Sequence, residues 1–108
     1  MLQQDAINIV QQYVSNLNND GINIFKAYLF GSYARNQANE NSDIDVLLVS
    51  DTFDTEDDVI LSKPWSPKYR TDYRIEPIAL GKMQFLSDDN SIILGAILRE
   101  GLEIEFNA

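Results

Sequence analysis

The chain of 108 residues contains no cysteine and no histidine. The absence of cysteine excludes disulfides, thiolate nucleophiles and zinc sites with cysteine ligands. The absence of histidine removes the side chain that most often serves as a metal ligand or as a general base near neutral pH. Any catalysis must therefore depend on carboxylates, hydroxyls, lysine, arginine and tyrosine.

Long apolar segments and an excess of positive charge are also missing. No apolar run approaches the roughly 20 residues that span a bilayer, and the first ten residues show no basic segment followed by an apolar one. We therefore expect a cytoplasmic protein without membrane contact. Eight lysines and arginines stand against 17 acidic residues, a net charge of −9, and direct nucleic-acid binding is not expected because it requires a basic face.

The length and the 44% apolar content predict one small domain over residues 1–108. Its negative charge is concentrated in one segment, because residues 36–62 contain no lysine or arginine. Within it, residues 51–58 are either a solvated loop or a docking patch for a basic partner. The acidic residues of the segment are Glu40, Asp43, Asp45, Asp51, Asp54, Glu56, Asp57 and Asp58.

The apolar periodicity predicts an α+β fold. Helices are predicted over residues 2–17 and 91–100, the first ending in the polar residues 18–21 and the second beginning near Asn90 or Ser91 and followed by Gly101. Strands are predicted over residues 22–30, 43–49, 74–80 and 102–106. Pro77 favours an edge position for the third strand. Residues 51–58 are predicted as an acidic loop, and residues 59–73 show no clear pattern.

The chemistry-bearing residues lie in the segment LFGSYARNQANENSDIDVLLV. Alternate residues of a strand face the same side, so Asp43 and Asp45 should present two neighbouring carboxylates at the start of a strand. Their mutual repulsion favours a bound cation. Mg²⁺ prefers oxygen ligands and is commonly held by carboxylates together with substrate phosphates, and two such ions can clamp an in-line phosphoryl displacement.

Gly31 and Ser32 follow the preceding predicted strand, and ten residues separate them from Asp43. Glycine allows close approach of the backbone to a phosphate, and the serine hydroxyl can donate to it. Arg35 could reach the same phosphates. Each residue also has a structural alternative, since Ser32 could cap a helical turn and Arg35 could pair with the acidic segment.

The spacing of Gly-Ser, ten residues and Asp-x-Asp resembles the signature of the polymerase-β-like nucleotidyltransferase superfamily, and the short chain resembles its minimal nucleotidyltransferases. The closing sequence ILREGLEIE is similar to the end of that group. The resemblance implies the nucleotidyltransferase fold, a small mixed β-sheet flanked by helices. It also implies a third carboxylate, for which Glu76 is the best match, although Glu76 could be a surface acid of an edge strand. Asn36 replaces a usual glycine, and asparagine tolerates the left-handed conformation.

The resemblance implies transfer of AMP from ATP to a hydroxyl group. In this hypothesis Asp43, Asp45 and Glu76 hold Mg²⁺, with two ions expected and Mn²⁺ as the alternative, and Glu76 serves as the base. Gly31, Ser32 and Arg35 hold the nucleotide phosphates.

Larger relatives add a helical domain, so the resemblance implies a separate helical partner. The expected partner is a HEPN-type toxin whose tyrosine receives AMP, which makes this chain the antitoxin. Two alternatives stay open: a non-catalytic module that silences its partner by covering it, and transfer to a small molecule such as an aminoglycoside. A homo-oligomer also stays open.

Two features of residues 62–74 each have two interpretations. Lys63, Lys68, Arg70 and Arg74 form either a solvated basic face or a triphosphate site. Trp65, between two prolines, either covers the core or contacts a partner.

Overall fold

A four-stranded mixed sheet flanked by helices forms the fold, as predicted. The computed structural model describes residues 2–87 and 91–106. The strands are β1 (Ile24–Phe30), β2 (Ile44–Ser50), β3 (Ile75–Gly81) and β4 (Leu102–Glu103), and the helices are α1 (Gln3–Asn19), α2 (Asp58–Ser62), α3 (Lys82–Leu86) and α4 (Ile92–Glu100). The sheet order is β3-β2-β1-β4, with β1 antiparallel to β2 and β4, and β2 parallel to β3. Among the described residues, no helix combines the length and apolar character needed to cross a membrane.

Helix α1 covers one face of the sheet. Its buried side chains recur every three or four residues and pack against inward-facing residues of β1 and β2, including Ala27, Leu29, Val46 and Leu48. The helix stops just before Gly21, whose φ of +86° is readily accepted only by glycine. The predicted first helix and its stop are therefore confirmed.

Strand β2 is buried on both faces because α1 covers one face and α4 packs on the other. Leu47 and Val49 face away from α1 and pack against Leu94 and Ile97 of α4, which explains the continuous apolar run in the sequence. The strand begins at Ile44, one residue later than predicted. The Ile44 N–H donates to the Arg74 carbonyl at 2.8 Å, and Asp43 lies just before the β2–β3 ladder.

The last strand is shorter than predicted. The alternation in residues 102–106 predicted a strand throughout, but β4 contains only Leu102 and Glu103. The Ile104 N–H still donates to the Ala27 carbonyl at 2.8 Å, and then Gln11 Nε2 of α1 donates to the Glu105 carbonyl at 2.9 Å. The Glu105 carbonyl is therefore bonded to the Gln11 side chain and not to β1. The alternation of residues 102–106 alone cannot predict this contact with α1.

The acidic segment at residues 51–58 is more ordered than the predicted loop. It contains a 3₁₀ turn at Asp51–Phe53 with Phe53 buried, and the Asp57 carboxylate accepts from the Val59 N–H at 2.9 Å to cap α2. Helices α2 and α3 are each five residues long, too short to show a helical period in the sequence. Ser91 is the N-cap of helix α4, as predicted, and its hydroxyl accepts from the Leu94 N–H at 3.1 Å. Asn90, the other predicted cap, lies outside the described residues.

Candidate functional site

A tight turn follows β1 and reverses the chain. Gly31 has φ +75°, and Asn36, at the other end of the turn, has φ +57°. The Arg35 N–H donates to the Gly31 carbonyl at 3.2 Å, and the Gln37 N–H donates to the Ser32 carbonyl at 2.9 Å. Asn36 therefore adopts the left-handed conformation that the sequence predicted for it, and the turn forms without a second glycine.

The middle of this turn carries polar groups that are not used within the fold. The N–H groups of Ser32, Tyr33 and Ala34 make no hydrogen bond in the described part of the chain, and neither does the Ser32 hydroxyl. Ser32 therefore does not cap this turn, which removes the structural alternative for that residue. Successive unpaired N–H groups in a turn form a concave site that attracts anions.

Asp45 lies directly against Gly31. In the β1–β2 ladder Asp45 is the partner of Phe30, the last residue of β1. A Cβ atom added at Gly31 would overlap the carboxylate of Asp45. Any residue with a Cβ atom would require the Asp45 side chain to move, and the φ angle also favours glycine.

Three acidic residues lie at this end of the sheet. Glu76 of β3 is the register partner of Asp45 in the parallel β2–β3 ladder, so both side chains project on the same face. Burial raises the pKa of Asp45, and the charges of Glu76 and Asp43 raise it further, while Arg35 lowers it. The structure therefore brings Asp43, Asp45, Glu76 and Arg35 within electrostatic range of one another.

An ion pair that sequence reasoning missed anchors β3 beside β2. Arg74 Nη2 lies 2.6 Å from Asp72 Oδ2, and the Arg74 carbonyl accepts from the Ile44 N–H. The hydrogen bond from Arg74 lowers the pKa of Asp72, and the same bond raises the pKa of Arg74. The pair and this backbone bond lie just before the β2–β3 ladder in which Glu76 is opposite Asp45. An Asp-x-Arg sequence is too common to have predicted this role.

The neighbouring basic residues also stabilise the fold. Lys68 pairs with Asp20 at 3.1 Å. Arg70 donates to the carbonyls of Trp65 at 3.0 Å and Ile75 at 3.1 Å, and its guanidinium lies 5.2 Å from the centre of the half-exposed Trp65 ring. These contacts occupy the cations within residues 65–75, so they do not support the triphosphate interpretation of the basic cluster.

The chain matches a family model over a range that spans the turn and the paired carboxylates. A family model described as a nucleotidyltransferase domain matches residues 7–95, which include every residue of this site. The chain belongs to the nucleotidyltransferase domain family. Membership supports a transferase that moves nucleotidyl groups.

A solved structure shares the fold of this nucleotidyltransferase domain. The crystal structure of a protein from Sulfolobus solfataricus, described as a putative nucleotidyltransferase, superposes on this chain with a TM-score of 0.67. The match covers 94% of this chain and 80% of the other at 19% sequence identity. At that identity the likeness shows the fold. No curated protein matches the sequence significantly.

The donor set of the nucleotidyltransferase domain fits a hard divalent cation. Asp43, Asp45 and Glu76 offer only oxygen ligands, which Mg²⁺ prefers. The charges of Asp43 and Glu76 repel the Asp45 carboxylate, and a bound cation would reduce that repulsion. In residues 2–87 and 91–106, however, no three acidic side chains are already close enough to hold one ion. Asp43 and Glu76 are exposed, so their side chains have room to turn toward Asp45.

Proposed function

We propose that this nucleotidyltransferase domain transfers AMP from ATP to a hydroxyl group, with pyrophosphate as the leaving group. The observation that carries the proposal is the contact between Gly31 and Asp45. This contact shows that the turn, whose N–H groups have no partner among the described residues, lies directly against the carboxylate strand. Phosphates bound by the turn would therefore lie next to the carboxylates.

The turn provides the phosphate contacts. The N–H groups of Ser32, Tyr33 and Ala34 and the Ser32 hydroxyl would donate to the β- and γ-phosphates. Arg35 is exposed and within electrostatic range of Asp45, so it can add a charge-assisted contact. Together these donors would hold the triphosphate with its α-phosphate toward Asp45 and Glu76.

The carboxylates provide the metal ligands. Asp43, Asp45 and Glu76 would hold Mg²⁺, two ions by analogy with other in-line displacements, with Mn²⁺ as the alternative. Bound metal would neutralise triphosphate charge and polarise the phosphorus under attack. Glu76, exposed on the edge strand, would take the proton from the acceptor hydroxyl. The acceptor oxygen then bonds to the α-phosphorus, and the bond to the bridging oxygen breaks so that pyrophosphate leaves with the electron pair.

The acceptor is best supplied by another protein. An open cleft of about 930 Å³ lies between α1, the start of β1 and residues 103–106, at the opposite end of β1 from Gly31. It cannot present an acceptor to the α-phosphate. From the resemblance to minimal nucleotidyltransferases we propose a tyrosine of a helical HEPN-type toxin as acceptor, with this chain as the cytoplasmic antitoxin.

The test is neutralisation of that partner by co-expression, followed by mass spectrometry of the partner. We expect wild-type chain to neutralise the toxin and to leave one adenylyl group on a tyrosine. The double variant Asp43→Asn/Asp45→Asn should do neither, and Glu40→Gln, an exposed acid outside the site, should behave as wild type. Neutralisation of an unmodified partner by the double variant would favour the binding-module alternative.

A further inference from the structure

Helix α4 is apolar on all its sides. Residues 92–98 read IILGAIL. Only Leu94 and Ile97 are buried beneath the helix, whereas Ile92 is 90% and Ile93 70% exposed. A helix that is apolar all round is normally covered on all sides. Here the outer side faces solvent in the isolated chain.

Helix α3 carries apolar residues on its outer side as well. Phe85 packs against the same cluster as Leu94 and Ile97, so α3 and α4 lie on the same face of the sheet. On the outer side of α3, Met83 is 76% and Leu86 is 61% exposed. We call the outer residues Met83, Leu86, Ile92, Ile93 and Leu98 the α3–α4 surface. Monomeric proteins rarely leave so many large apolar side chains exposed in neighbouring elements.

We infer that the α3–α4 surface is the interface with a second copy of this chain. Burial of one fully exposed side chain of this kind removes roughly 60–120 Å² of apolar area from water, so the five, weighted by their exposed fractions, offer on the order of 300 Å². A stable interface buries about 800 Å² per partner, of which about 60% is apolar. The surface therefore supplies more than half of the apolar area that one side of a dimer needs.

The shape of α4 favours a copy of itself as the occupant. Ile92 and Ile93 form a bulky ridge, and Gly95 and Ala96 leave a low section next to it. In a two-fold dimer the same patch meets itself, so the ridge of one copy can enter the low section of the other. Interfaces between identical subunits are also the more apolar class.

The charge of the chain distinguishes a second copy from a basic partner. Each copy carries −9, and Asp54 at the edge of this surface accepts from the Met83 N–H at 3.1 Å. Two copies therefore repel each other, and added salt should strengthen the dimer by screening that repulsion. A complex with a basic partner would instead weaken in salt.

The test is sedimentation equilibrium of the purified full-length chain at low and high salt. We expect a dimer whose dissociation constant falls as salt increases. Ile93→Asp and Met83→Asp should each raise that constant at least about tenfold, equivalent to about 1.4 kcal/mol. Val59→Asp, at a residue of α2 that is 71% exposed and lies outside the surface, should leave it unchanged. Circular dichroism checks that each variant is folded.

A wild-type chain that stays monomeric, or a dimer that survives both substitutions in folded variants, would overturn the inference. A dimer that weakens with salt would also contradict it. None of these readouts involves nucleotide, so the outcome is independent of whether the chain transfers AMP.

Discussion

The Asp45 carboxylate occupies the space that a Cβ atom at Gly31 would need. This contact joins the two halves of the candidate site, because Gly31 begins the turn with the unpaired N–H groups and Asp45 faces Glu76 in the sheet. A change at Gly31 should therefore disturb phosphate contacts and carboxylates together.

Gly31→Ala tests this contact directly. We expect the left-handed φ to cost roughly 1–2 kcal/mol of unfolding free energy and the clash with Asp45 to add to that cost. The matched control is Gly21→Ala, where φ is +86° but no atom lies within 4 Å of the added Cβ. Urea denaturation should show the larger loss for Gly31→Ala. Equal losses would mean that the Asp45 contact is not a constraint.

Asp45 should make the fold less stable at neutral pH. Burial and the neighbouring carboxylates raise its pKa in the folded chain, so the folded state keeps this proton to higher pH than the unfolded state does. Stability therefore falls as pH rises from the unfolded pKa of about 3.9 to the raised folded value. Asp45→Asn should be more stable than wild type at pH 7, with the difference shrinking as pH is lowered through that interval. Denaturant titrations across pH measure this, and a less stable variant at pH 7 would contradict it.

The coupling between Asp45 and Glu76 has its own readout. Glu76→Gln removes the nearest acidic partner of Asp45 without changing the length of the side chain. We expect the pKa of Asp45 to move down toward its ordinary value, measured by NMR titration of its carboxyl carbon. Glu103→Gln on β4, paired with Lys26 at 3.4 Å, should not move it. An unchanged Asp45 in Glu76→Gln would show that the two carboxylates do not face each other.

The sequence predicted the parts of the site that depend on local pattern. Gly31, Ser32 and the Asp-x-Asp pair were identified from their spacing, and Asn36 was expected in the left-handed conformation that it adopts. Glu76 was identified only through family resemblance. Its place opposite Asp45 follows from the parallel β2–β3 register, which is a long-range pairing that no local pattern encodes.

The errors in the predicted fold have the same physical origin. Residues 102–106 alternate like a strand, but Gln11 of α1 bonds the Glu105 carbonyl and the ladder ends after two residues. The anchoring of β3 by Arg74 depends on a contact with Ile44, thirty residues earlier in the chain. Both features involve hydrogen bonds between residues that are far apart in the chain, which local sequence patterns do not predict.

Ser32→Ala tests the phosphate contacts of the turn. The Ser32 hydroxyl has no partner among the described residues, so its removal should not reduce stability. If it donates to a charged phosphate, the loss should weaken binding of ATP and of inorganic tripolyphosphate by about 1.5 kcal/mol or more, roughly tenfold. Calorimetric titration measures this, with Ser15→Ala on α1 as the control. Unchanged tripolyphosphate binding would remove Ser32 from the site.

The central claim is that these carboxylates support nucleotidyl transfer. Its most direct test is incubation of the chain with Mg²⁺, cell lysate and ATP labelled at either the α- or the γ-phosphate. The account predicts α-label on a protein band, no γ-label on that band, and loss of the signal in Asp43→Asn/Asp45→Asn. Label that never reaches a protein band, or that arrives from the γ-phosphate, would contradict it.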